Sequence, residues 1–171
     1  MSNSIAIASG KGGVGKTTIA VNLSLTLTQM GTKVSLIDAD FGLANAHILL
    51  GINPKKTIRD LLKNGLSIEE IIETGPSGLK FISGGNGLID ILNIEKNSKY
   101  QLIRSLDPIQ KTTDTLMVDI PAGASENSMT FASAVDKLVI VLVSEPTSFM
   151  DAYTFIKTAK LDHNIHNFSI V

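Results

Sequence analysis

The sequence predicts an α/β fold with a doubly wound, mostly parallel sheet. Three observations predict it. Apolar runs of strand length alternate with helix-length amphipathic segments along the whole chain. The first run and the first helix are joined by a glycine-rich turn, residues 10–18, reading Gly-Lys-Gly-Gly-Val-Gly-Lys-Thr-Thr. Two later runs end in an acid, Asp38 and Asp119, at what would be the carboxyl edge of the sheet, where open α/β folds bind ligands.

Each element follows in order. Ser4–Ser9 is a short apolar run and reads as a buried strand. Thr17–Met30 carries Ile19, Val21, Leu23, Leu25 and Leu27 and stops at Gly31, which predicts a mostly buried helix with a glycine at its end. Lys33–Asp38 is the second strand. Leu43–Leu50, Ile58–Lys63 and Ile68–Glu73 read as helical. Leu79–Ser83 is a strand, followed by Gly84-Gly85-Asn86-Gly87. Lys99–Leu106 reads as a helix that ends near Pro108. Thr115–Ile120 and Lys137–Val143 are strong strands. Thr147–Leu161 is a helix expected to bury Phe149, Ala152, Tyr153, Ile156 and Ala159 on one face. Phe168–Val171 opens another apolar strand at the end of the chain. This alternation gives the parallel sheet. The whole of 1–171 is expected to form a single domain, cut short at its C-terminal end.

The glycine turn satisfies the phosphate-loop pattern: Gly10, four residues, Gly15, Lys16, Thr17. Gly12, Gly13 and Gly15 free the backbone of Cβ groups, so N–H groups can turn around an anion, with Val14 and Thr18 in the same turn. Lys16 supplies a charge for the β- and γ-phosphates, and Thr17 offers its hydroxyl to Mg²⁺. A helix N-terminus directly after the loop adds its dipole. Leu116-Met117-Val118-Asp119 is an apolar strand ending in an acid, the pattern that holds Mg²⁺ through water, and Ile120-Pro121-Ala122-Gly123 follows as a turn. Asp38 and Asp40 are two apart, so extended backbone would aim both side chains the same way. An acidic cap for the helix near Leu43 is the plainer alternative for Asp40.

Composition narrows the functions. The chain is 43% hydrophobic and 18% charged, enough apolar residue for a sizeable core. Its formal net charge is −1, so no broad basic surface offers nucleic acid a charge-driven site. It has no cysteine, which excludes disulfides and thiolate metal sites within it. His47, His163 and His166 are scattered and suggest no zinc site. No apolar run approaches the length of a membrane span; the longest is Leu138–Val143.

Lys11-Gly-Gly-Val-Gly-Lys16-Thr-Thr resembles the deviant Walker A motif of the MinD/ParA ATPases. The resemblance implies that Lys11 reaches across a dimer to the partner's phosphates. It also implies that Asp40 orients or deprotonates the attacking water while Asp38 supports the Mg²⁺ shell. A charge supplied in trans is worth roughly 10³–10⁵ in rate. Asp38-Ala-Asp-Phe-Gly-Leu-Ala-Asn45, Leu49-Leu50-Gly51 and Glu145-Pro146-Thr147-Ser148 with Asp151-Ala152-Tyr153 resemble the flagellar-number regulator branch, FlhG, FleN and YlxH.

The resemblance implies an ATPase switch using ATP, ADP and Mg²⁺. Its expected partners are a second copy in the ATP state and a protein of flagellar assembly. Its expected location is the cytoplasm, with peripheral attachment to the inner membrane face through a C-terminal segment beyond Val171. A MinD-like division-site role or a ParA-like DNA- or cargo-positioning role is the alternative. A ligase of the dethiobiotin synthetase type is a further one, against which stands the lack of a basic cluster for a substrate carboxylate.

Overall fold

The computed structural model describes residues 3–42, 44–85 and 102–171. Its strands are β1 (Asn3–Ala8), β2 (Val34–Asp38), β3 (Glu73–Thr74), β4 (Lys80–Ser83), β5 (Thr115–Asp119), β6 (Lys137–Ile140) and β7 (Phe168–Ile170). They form one sheet in the order β3-β4-β2-β5-β1-β6-β7. Every pairing is parallel except that of the two-residue edge strand β3 with β4. The helices are α1 (Lys16–Gln29), α2 (Ala46–Leu50), α3 (Ile58–Asn64), α4 (Asp107–Thr112), α5 (Glu126–Ser133) and α6 (Pro146–Leu161).

Alternating strand residues feed two cores. Ile7, Leu36, Phe81 and Met117 pack on one face with Ala20 and Val21 of α1 and Ala46 and Leu50 of α2. Ala6, Ile37, Ile82 and Val118 pack on the other with residues of α3, α4, α5 and α6. A strand buried on both sides has no polar face to show, which is why these runs read as continuous apolar segments. The expected doubly wound architecture is the observed one. Among the described residues no helix is long and apolar enough to cross a membrane.

Several expected elements differ. α1 is less buried than its leucines suggest: it buries Lys16, Ala20, Val21 and Ser24, while Leu23 is exposed. Its end is as read, with Gly31 at φ +91 and Thr32 N–H returning to Leu27 O at 3.0 Å. The helix expected from Leu43 starts at Ala46; position 43 lies outside the described residues. Ile68–Glu73 is no helix. It is a single turn with Ile71 N–H bonded to Ile68 O, its Ser67 N–H capped by Glu70 Oε2 at 2.8 Å, and the chain enters β3 at Glu73. The helical residues 102–105 stop just before Pro108, as expected, and Pro108 itself stands in the first turn of the next helix, α4, where its missing N–H costs nothing. Of Lys99–Leu106, residues 102–105 are helical, and 99–101 lie outside the described residues, as do Asn86 and Gly87. α5 was not foreseen; Ser125 caps it by accepting from Ser128 N–H at 3.2 Å.

Helix α6 shows the largest correction. Its buried stripe is Ser148, Ala152, Phe155 and Ala159. Phe149 and Tyr153 are 55% and 62% exposed. The buried stripe holds mostly small side chains because something on the sheet's edge must come close to this helix. That neighbour is the glycine loop.

Candidate functional site

The loop after β1 carries Gly10–Gly15 to the N-terminus of α1, whose cap is Gly15 at φ +90. Gly13 is also left-handed, at φ +80, and both positions suit glycine alone. Gly10 serves a different purpose. Its φ is not in the left-handed range, but a Cβ there would lie 2.2 Å from the Asp151 carbonyl carbon and 2.6 Å from Ala152 N. The loop's first glycine thus rests on the backbone of α6. Gly123, in the turn after β5, donates its N–H to Ser9 O at 2.8 Å and fastens that turn to the same loop.

A cleft of about 420 Å³ opens at this edge, lined by Gly12, Gly13, Lys16, Thr17, Thr18 and Asp40, with Asn45, Ile48 and Leu49 of α2 and Ala122. Of the expected loop residues, Gly12, Gly13, Lys16, Thr17 and Thr18 share this cavity with Asp40, while Gly10, Lys11, Val14 and Gly15 do not line it. Ile48, Leu49 and Ala122 were not picked from the sequence; they are apolar positions whose place depends on how α2 and the post-β5 turn fold back.

Beneath the loop, Lys16 Nζ donates to Asp119 Oδ1 at 2.5 Å, a pair almost wholly out of solvent. Burial pushes the Asp119 carboxyl up, and the Lys16 ammonium opposes that, followed by the nearby Thr17 hydroxyl. Asp119 Oδ2 is buried without a hydrogen-bond partner. An orphaned carboxylate oxygen beside a threonine hydroxyl fits a hard cation with oxygen ligands. Among the described residues no group of three or more His, Asp or Glu side chains could hold a metal by itself. Thr17 and Asp119 could contribute oxygen ligands to a Mg²⁺ ion whose shell phosphate and water complete.

Asp38 and Asp119 are register partners on β2 and β5. They do not act alike. Asp38 is fully buried, and its carboxylate turns back on its own loop, accepting from Asp40 N–H at 3.2 Å and Ala46 N–H at 3.0 Å. It therefore orders the segment holding Asp40 and caps the first residue of α2, a task the sequence offered to Asp40. The extended backbone on which the same-side expectation for Asp38 and Asp40 rests ends at Asp38, the last residue of β2. The loop then packs Phe41 against Gly84 and Phe131, at a ring distance of 5.6 Å.

Burial raises Asp38 from 3.8 to about 6, against the two backbone N–H donors. The folded chain thus binds this proton more tightly than the unfolded one. Stability from this group is full below pH 4 and is lost as pH rises through about 6, by about 3 kcal/mol. Urea melts of the parent and Asp38→Asn check this. The variant's deficit is expected to shrink between pH 4 and 6 and to stay constant above; a deficit independent of pH would refute it.

Lys11 lies outside the cleft. Its Nζ donates to Glu145 Oε2 at 2.8 Å and to Thr147 Oγ1 at 3.3 Å. Glu145 raises its pKa, by hydrogen bond and by charge, and the Asp151 carboxylate adds to this. Asp151 is the sixth residue of α6, too far along to cap its N-terminus.

Strand, glycine loop and helix, with acids at two neighbouring strand ends, define a phosphate-loop nucleotide-binding fold. A model of the AAA domain family matches residues 2–170. The chain belongs to that family, and within it to the MinD/ParA type. It is 36% identical over 167 residues to the antiactivator FleN of Pseudomonas aeruginosa, covering 98% of this chain and 60% of that protein. It is 37% identical over 153 residues to the flagellum site-determining protein YlxH of Helicobacter pylori, covering 90% of this chain and 52% of the relative. The septum site-determining protein MinD of Pyrococcus horikoshii, solved with Mg-ADP, superimposes with a TM-score of 0.82 at 27% identity, over 99% of this chain and 68% of that one. The chain thus spans a little over half the length of these two curated relatives.

Proposed function

We propose that this chain is the nucleotide-binding part of an ATP-driven dimerisation switch that regulates flagellar number or placement. The observation that carries the reading is the single cleft joining Gly12, Gly13, Lys16, Thr17 and Asp40 above the Lys16–Asp119 pair. Similarity to FleN and YlxH supports the flagellar role.

Nucleotide phosphates would draw Lys16 Nζ from Asp119 onto the β- and γ-oxygens. Thr17 and the freed Asp119 would then hold Mg²⁺, which supplies charge neutralisation of the phosphates when bound. Asp40, at the cleft wall, orients the attacking water. Lys11 is placed to act outward. Its ion pair with Glu145 is solvent-exposed, so exchanging it for a second copy's phosphates costs little. Hydrolysis in each copy is slow until that charge arrives.

Phe149, Met150 and Tyr153 form an exposed apolar stripe on α6, next to the glycine loop that Gly10 presses onto this helix. They would be covered by the second copy or by a flagellar assembly protein that docks on the dimer, with Asp151 at the stripe's edge.

Size exclusion of the full-length protein with ATP or ADP tests the switch. The parent is expected to elute as a dimer with ATP and a monomer with ADP. Lys11→Ala is expected to bind ATP and remain monomeric. Asp40→Ala is expected to stay dimeric in ATP because the water is no longer oriented. Loss of ATP binding in Lys11→Ala as complete as in Lys16→Ala would sink the trans role.

A further inference from the structure

We infer that the opposite edge of the sheet carries a second anion site, built for a soluble ligand bearing several phosphate charges. A cleft of about 650 Å³ lies there, lined by Lys33, Lys80, Lys111, Thr32, Ser77 and Thr112 among others. Lys33 precedes β2, Lys80 opens β4 and Lys111 stands in the last turn of α4. These are amino ends of strands and the carboxyl end of a helix. The glycine loop sits beyond the carboxyl ends, about 15 Å away along strands of this length. The volume exceeds that of the glycine-loop cleft and lies in the range of small-molecule sites.

Lys11, Lys16 and Lys56 are each ion-paired. No carboxylate forms an ion pair with Lys33, Lys80 or Lys111 among the described residues, although Glu69 shares a neighbouring cavity with Lys80. Asp114 is the near carboxylate in sequence, and its Oδ2 is committed to the Lys33 backbone N–H at 2.9 Å. Lys80 Nζ donates to Thr112 Oγ1 at 3.2 Å in an exposed contact. Three ammonium groups from three distant segments, in a protein of net charge −1, repel one another around one concavity.

A helix dipole accounts for part of this pattern but not all. Lys111 suits the carboxyl end of α4, and Lys33 follows that of α1. At α1, however, Leu27 O and Thr28 O are already met by Thr32 N–H and Gly31 N–H, each at 3.0 Å. Lys80 is on a strand and owes nothing to either helix. What the three share is the cavity. Ammonium groups beside hydroxyl donors recognise phosphate oxygens, and several charges in one concavity call for a ligand with several. An extended nucleic acid would need a basic surface running past the cleft, which the net charge does not supply.

The inference does not depend on the glycine loop, and the test reads the two sites separately. Nitrogen-15-labelled protein is titrated with tripolyphosphate, and backbone amide shifts are followed by NMR at matched ionic strength. Amides of Thr32, Lys33, Gly78 and Lys80 are expected to shift saturably, alongside those of Gly13, Gly15 and Lys16. The Lys33→Gln/Lys80→Gln/Lys111→Gln variant is expected to bind at least tenfold more weakly at the first set while the second keeps its midpoint within twofold. Lys33→Gln/Lys111→Gln, at two exposed positions, gives the same direction if the triple variant is poorly folded. Shifts confined to the glycine loop would overturn the inference. So would unchanged affinity in the variants, or equal shifts with sulfate, which would mark general screening rather than a site.

Discussion

Lys16→Ala is expected to erase the thermal stabilisation that ATP or ADP with Mg²⁺ gives the full-length protein. At a hundred times its Kd a nucleotide adds about 2.7 kcal/mol. For a domain of this size that raises Tm by roughly 5–10 °C. The ion pair beneath the loop adds a second consequence. Lys16 is the hydrogen-bonded cation of Asp119, and Asp119 has no exposed surface. Removing the lysine leaves that carboxyl alone in the core, so the ligand-free variant is itself less stable, by about 3–5 kcal/mol when Asp119 is ionised. The two effects separate in the double variant Lys16→Ala/Asp119→Asn, which should regain ligand-free stability and still ignore nucleotide. Thermal melts with and without nucleotide check both. A full nucleotide shift in Lys16→Ala would end the nucleotide-binding reading.

Gly10→Ala is expected to cost about 3 kcal/mol or more, since the new methyl group meets backbone on α6 and not a side chain that can swing away. Gly12→Ala is the matched control. Nothing lies within 4 Å of a Cβ at Gly12, so its stability should stay within about 0.5 kcal/mol of the parent. Urea denaturation of the two variants decides it. Equal stabilities would mean that the loop and α6 are not in contact in solution. The expected difference also separates two uses of glycine inside one motif: Gly10 admits a helix, while Gly13 and Gly15 admit a left-handed turn.

The parts of the site that are contiguous in sequence were legible. The glycine loop, the helix after it and the acids ending β2 and β5 each need only a few neighbouring residues to be recognised. What depends on a distant partner was not. The Lys11–Glu145 pair joins residues 134 positions apart, and nothing near Lys11 announces it. The α6 stripe was misjudged because aromatic rings look like core. Phe149 and Tyr153 lie one residue along from Ser148 and Ala152, and the stripe that turns inward is the one that packs Ala152, Phe155 and Ala159 on the sheet and meets Gly10. The bonds of the Asp38 carboxylate to the Asp40 and Ala46 N–H groups were not legible either, because they depend on how the chain turns after β2 ends. Pro108 marked the end of the helical residues 102–105, but the new helix that it opens was not read, because the same residue that stops one helix suits the first turn of the next.

The strand that bears the glycine loop is the first to be made and sits near the middle of the sheet. Its neighbours are β5 and β6, more than a hundred residues later in the chain. On a ribosome, residues 10–18 therefore emerge long before the pairs that hold β1 in place, and the closure of such loops is slow. Until β6 has cleared the exit tunnel, β1 has at most one of its two flanking strands, and the α6 backbone on which Gly10 rests follows later still. A nascent chain of this protein should gain affinity for nucleotide abruptly, late in its synthesis. Fragments ending before Ile140 should bind none, however complete their phosphate-loop motif.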